Sequence, residues 1–170
     1  MLPRVRRPFR QKHLERSFRV DTAQLQHRFR SLQRLLHPDF FRQRPQVEQD
    51  FSEQHSALVN EAYRTLLSPL RRGLYLLELS GIELEKGTDS EAEPEFLAEV
   101  MEMNEKLLDA DSGAKTDEME SFIAAKQGEL TESVSRAFDR GDLQEAKKLL
   151  AKMKYFANLE EKVKEKKIPS

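Results

Sequence analysis

Three consecutive residues, His37, Pro38 and Asp39, form the sharpest chemical element of this 170-residue chain. Histidine is a donor or acceptor that switches near neutral pH, aspartate is a carboxylate acceptor, and the proline between them stiffens the backbone that carries both. No catalytic constellation surrounds them. His13, His27 and His55 fall at no spacing that would organise a metal ion or activate a nucleophile, and His55 reads as a surface or boundary residue of a helix. The absence of Cys excludes disulfides, thiolate zinc sites and a cysteine nucleophile. The six glycines are scattered, so no phosphate-cradling loop can be assembled from them. Acidic pairs are abundant, but in a chain that is 35% charged they read as solvated helix faces.

The elements that must position the tripeptide are helices. Asp21 with Gln24 has the form of a capping box, and Val20 with Leu25 that of a hydrophobic staple. Leu25, Phe29, Leu32 and Leu36 then recur as one buried stripe, with Arg28, Arg30 and Arg34 largely away from it. Pro38 stops this helix. A polar connector with Pro45 leads to a second helix from about Gln46 to Leu67, whose inner face is expected at Val47, Phe51, Leu58, Ala62 and Leu66. Ser68 and Pro69 end it and start a third helix over 69–80, carrying Leu70, Leu74, Tyr75 and Leu77, with Gly81 as a left-handed terminator.

Residues 82–94 are acidic and turn-rich and mark the domain boundary. Three further helices are expected at 95–109, 116–139 and 142–166. Phe96, Leu97, Val100, Met103 and Leu107 pattern the first; Phe122, Ile123, Leu130, Val134 and Phe138 the second; Leu143, Ala146, Leu149, Leu150, Met153, Phe156 and Leu159 the third. Short turns between long amphipathic helices favour an antiparallel bundle.

A net charge of −1 conceals an asymmetry. Residues 1–47 hold twelve Lys or Arg against three acids, and the remainder is acidic by a similar margin. Two surfaces for different partners follow, with nucleic acid or an acidic protein surface both open to the basic end. Residues 1–19 are Arg-rich and interrupted by Pro3 and Pro8, a composition shared with mitochondrial targeting segments, although Ser17 is the only hydroxyl residue there. No apolar run approaches the roughly 20 residues of a membrane span, and no signal-peptide apolar core follows Met1.

A basic amphipathic helix, His-Pro-Asp, a proline-containing loop and an antiparallel second helix together resemble a J-domain, the module that docks on heat-shock ATPase chaperones. The runs LQHRFRSLQRLLHPDFF and VNEAYRTLLSPLRRGLYLL, followed by FLAEVMEMNEKL and KMKYFANLEEKVKEKKIP, are similar to the HscB-type co-chaperones of iron–sulfur cluster assembly. The resemblance covers about residues 17–170. It implies an all-α fold, with a J-domain hairpin at 20–81, a linker at 82–94 and a C-terminal antiparallel three-helix bundle at 95–170, behind an irregular segment at 1–19. It implies that His37, Pro38 and Asp39 accelerate ATP hydrolysis by the chaperone, with Arg28, Arg30 and Arg34 steering. It further implies that Leu97, Ala98, Met101, Glu102, Glu105 and Tyr155 bind an IscU-type scaffold. The chain itself is expected to perform no chemistry and to need no cofactor or metal. A mitochondrial location is implied, with a cytosolic pool allowed, and self-association stays open.

Two departures from the pattern carry expectations of their own. The place of the first J-domain helix holds RRPFRQKHLERSF, so that helix is altered or missing and the hairpin should expose part of its apolar stripe. The cysteine-pair zinc module of many animal members is ruled out by composition. A J-protein with another client is the nearest alternative, and an Arg-rich nucleic-acid binder a more distant one.

Overall fold

Asp21 opens the first helix, α1 (Thr22–Leu36), by accepting hydrogen bonds from the amides of Ala23 and Gln24 at 3.0 and 3.1 Å. This satisfies donors that a helix start leaves without partners. The helix ends at His37, whose ψ of 131° is extended because the residue before a proline is pushed out of the helical region. These features belong to a computed structural model that describes residues 17–84, 93–110 and 113–168. Most of the expected N-terminal segment and of the expected acidic linker lies outside the described residues.

A 3-10 turn, Pro38–Phe41, follows, and then α2 (Gln46–Leu67). Ser68 closes α2 through its amide and opens α3 (Pro69–Leu79) through its hydroxyl, which accepts from the Arg71 amide. Gly81, at φ +79°, terminates that region in the left-handed conformation that glycine adopts without strain. The remaining elements are α4 (Pro94–Leu108), α5 (Gly113–Asp139) and α6 (Leu143–Lys167). All regular structure among the described residues is helical. Gly141, at φ +70°, makes the α5–α6 turn, and Asp142 caps α6 by accepting from the Glu145 amide at 3.1 Å.

Two apolar clusters hold the molecule. The first lies among α4, α5 and α6 and is built from Phe96, Val100, Met103 and Leu107, from Met119 and Ile123, and from Phe156, Leu159 and Val163. The second joins Leu77 of α3, Val134 and Ala137 of α5, and Ala146, Leu150 and Met153 of α6, with Phe18 closing it from the N-terminal side. Each fully buried side chain such as Ile123 or Leu159 stabilises the fold by roughly 1.5–3 kcal/mol. Gly73 lets α3 approach α6 closely, because a Cβ there would stand 2.5 Å from a Leu150 methyl. Phe122 and Tyr75, expected on inner faces, are exposed.

The α1–α2 hairpin is held differently. The expected inner face of α2 is not the one that packs: Val47, Phe51, Leu58 and Ala62 are exposed, and only Leu66 of that set is half-buried. The face turned to α1 carries Ser52 and Ser56, both buried. Ser52 donates to the Leu36 backbone carbonyl at 2.7 Å and Ser56 to the side-chain Oε1 of Gln33 at 3.0 Å, while the Gln33 amide donates to Oδ1 of Asn60 at 2.9 Å. Phe29 stacks on Tyr63 with centroids 4.1 Å apart. No residue of α1 is fully buried, and Leu32 of the expected stripe is exposed.

Candidate functional site

Pro38 fixes the start of the 3-10 turn, and this places His37 and Asp39 at the tip of the hairpin. The Asp39 amide donates to Nδ1 of His37 at 3.2 Å, so the neutral ring carries its proton on Nε2. The Asp39 carboxylate lies 3.5 Å from the same nitrogen, a contact that becomes an ion pair only when the ring takes a second proton. One carboxylate oxygen accepts from Arg42 at 2.9 Å. Phe40 stands edge-on to the His37 ring with centroids 6.3 Å apart. Both acid and base are about half exposed, at 59% and 48% of their side chains, so a partner can reach them.

An open surface depression of about 430 Å³ lies here, lined by Phe29, Arg30, Gln33, Arg34, His37, Asp39 and Phe40. The expected steering arginines therefore divide. Arg30 and Arg34 stand one turn apart and share the depression with His37. Arg28 is absent from its lining, because a helix turns about 100° per residue and Arg28 lies two positions, about 200°, from Arg30. Helical angle alone could have separated them in the sequence. A cationic, partly apolar recess edged by one carboxylate suits an acidic protein surface.

The second group of expected residues lies on α4. Phe96, Val100, Met103 and Leu107 turn inward, Leu97 is half-buried, and Ala98, Met101, Glu102 and Glu105 are exposed. Leu97, Met101 and Glu105 follow one another at successive turns and share a face. Leu108, expected nowhere as a surface anchor, continues that face and is 79% exposed. The Leu107–Leu108 pair hides this in the sequence, where one leucine faces in and the other out. Glu102 pairs with Lys106 at 2.7 Å; that hydrogen bond, and then the attraction of the ammonium, hold its carboxyl below the usual range. Tyr155 of α6 meets α4 edge-on at Phe96, one residue from Leu97, with centroids 5.6 Å apart. Its hydroxyl is buried with no hydrogen-bond partner among the described residues. An apolar centre edged with carboxylates has the make-up of a protein-binding patch.

Among the described residues no group of three or more His, Asp or Glu could hold a metal ion. No helix among them is long and apolar enough to cross a membrane.

Comparison with known proteins gives the same frame. Residues 92–164 match the HSCB C-terminal oligomerisation domain. A co-chaperone protein HscB homolog of Shewanella baltica is 35% identical over 156 residues, covering 86% of this chain and 88% of that protein. The chain belongs to the HscB co-chaperone family. Human iron–sulfur cluster co-chaperone protein HscB is 62% identical over 154 residues, which cover 91% of this chain and 66% of the human protein. The chain thus spans just under two thirds of that relative's length. The crystal structure of human HscB superposes with a TM-score of 0.86, covering 92% of this chain and 79% of the human one. Yeast Jac1, at 23% identity and a TM-score of 0.73, shares the fold.

Proposed function

We propose that this chain is a co-chaperone that docks on a heat-shock ATPase chaperone and brings an IscU-type scaffold to it for iron–sulfur cluster transfer. Residues 20–81 act as the J-domain and 95–170 as the scaffold-binding bundle. The reading is carried by the depression that gathers Arg30, Arg34, His37 and Asp39 at the hairpin tip. Arg30 and Arg34 attract an acidic chaperone surface at long range, and Arg28 adds to that field from the far side of α1. His37 then offers Nε2–H as donor and Asp39 its carboxylate as acceptor, both on a backbone that Pro38 has already stiffened. The protein acts by binding one conformation of the chaperone better than another, and the hydrolysis belongs to the partner.

The scaffold side uses Leu97 and Met101 as apolar contacts, Ala98 as a small surface between them, and Glu102 and Glu105 as the acidic edge. Tyr155 completes the patch from α6, where its ring backs α4 edge-on at Phe96. A mitochondrial matrix location fits the identity with the human and mouse relatives.

His37→Gln tests the assignment. The imidazole is half exposed and caps only the 3-10 turn, so the variant should keep its helical circular dichroism and its scaffold binding while losing stimulation of the chaperone ATPase. Normal stimulation by that variant would remove His37 from the site.

A further inference from the structure

Leu108 is the most exposed large apolar side chain among the described residues, at 79%, and the proposed function gives it no role. It ends α4, eleven residues after Leu97. At about 100° per residue that interval is three turns and about 20°, so Leu97, Met101 and Leu108 fall within about 40° of one another around the helix. The buried residues Phe96, Val100, Met103 and Leu107 occupy a sector about a third of a turn away. Leu108 therefore belongs to the line that Leu97 begins, and it stands about 16 Å further along α4.

The last turn of α4 is fastened from α6. Lys162 donates through Nζ to Oδ1 of Asn104, which shares the sector of Leu97, at 3.1 Å. Lys166 donates to the carbonyls of Leu107 and Leu108, the latter at 3.1 Å, and so meets the negative end of the helix dipole. Helix ends fray when nothing ties them down. Here two lysines hold the end, so Leu108 is presented in one place and a partner that covers it has less freedom to remove. The two residues between Ala110 and α5 are Asp111 and Ser112, which bring no apolar side chain to the site.

Continuity and charge name the occupant. A partner lying on Leu97 and Met101 reaches Leu108 along one straight line. Glu102 and Glu105 border that line; Glu102 is taken by Lys106, whereas Glu105 makes no ion pair among the described residues. We propose that the scaffold contact runs the full length of α4 and ends on Leu108. The matching scaffold surface is then an apolar ridge about three helical turns long, with a lysine or arginine opposite Glu105. This rests on the reading of α4 as the scaffold-binding surface, and it adds the far end of that surface.

Titration calorimetry of a purified IscU-type scaffold with the full chain tests it. Leu108→Ser, at an exposed position that leaves helical circular dichroism unchanged, should weaken binding about tenfold, and Leu108→Met should keep most of the affinity. Glu105→Lys should weaken binding by a similar factor, and no change there would overturn the cation placed opposite it. Leu58→Ser, on α2, should have no effect. Met101→Ser reports on the underlying reading and should weaken binding too. If Met101→Ser weakens binding and Leu108→Ser does not, the contact stops short of the last turn, and the extension is overturned while the reading stands. If neither changes the affinity, the scaffold binds elsewhere and both fall. Tighter binding by Leu108→Ser would show that Leu108 is covered from within the chain and would overturn the extension as well.

Discussion

The α4–α6 bundle and the α1–α2 hairpin are both antiparallel arrangements of amphipathic helices, but they bury opposite kinds of residue. The bundle closes over Ile123, Phe156, Leu159 and Val163, each at most 2% exposed. The hairpin closes over Ser52, Ser56, Gln33 and Asn60 and leaves Phe51 and Leu58 in solvent. A hydrogen-bonded seam specifies how two helices sit together but adds about 1 kcal/mol per bond, whereas a dry core supplies the bulk of the stability. The bundle is therefore a self-sufficient body, and the hairpin a specified but incompletely covered one. Its tip carries the proposed trigger, which Pro38, the serine seam and the Phe29–Tyr63 stack hold in place.

Removing apolar bulk from each region should separate them most widely. Ile123→Ala should cost about 2–5 kcal/mol in chemical denaturation, while Leu58→Ala should stay within about 0.5 kcal/mol. Equal losses would mean that Leu58 is covered and the contrast false.

The joint between the regions should respond next. Arg72 is buried, and desolvation lowers its pKa. Its guanidinium donates to the carbonyls of Phe18 and Leu66 at 2.6 Å each and lies 4.7 Å over the Phe18 ring. Arg72→Met leaves both carbonyls without that donor and should cost about 1–3 kcal/mol. Arg72→Lys should restore only part, because one ammonium cannot reproduce the planar fork. Full rescue by Lys would show that charge alone holds the joint.

The smallest effect belongs to Arg19, whose contacts with Glu132 and Asp139 are long, at 3.7 and 3.8 Å, and largely exposed. Arg19→Ala should cost under about 1 kcal/mol and less still in high salt. A larger loss would place more of the joint's strength at the surface than the buried Phe18 implies.

The same contrast explains what the sequence could reveal. Periodicity found the bundle core because apolar and buried coincide there: Phe96, Val100, Met103, Ala146, Leu150, Met153 and Phe156 all face inward. Asp21, Pro38, Gly81 and Asp142 announced their turns through local backbone chemistry that needs no tertiary partner. The inner face of α2 escaped because it is mixed, with Ser52, Ser56 and Asn60 beside Tyr63 and Leu66, and an apolar stripe such as Val47, Phe51 and Leu58 states that cover is wanted without stating that it is present. Phe18 and Arg72 were invisible for another reason, since 54 residues separate them and only the folded chain brings them together. At the candidate site, the tripeptide was plain in the sequence, whereas the division of Arg28 from Arg30 and Arg34 needed helical geometry.

The central claim is that the hairpin tip drives a chaperone while the bundle holds its cargo. The most direct test is the ATPase rate of a mitochondrial heat-shock chaperone with this chain, with and without an IscU-type scaffold. Stimulation by the chain, rising further with scaffold and absent in His37→Gln, is the predicted result. No stimulation while scaffold binding persists would contradict the account, leaving a working bundle joined to a hairpin that does not trigger hydrolysis.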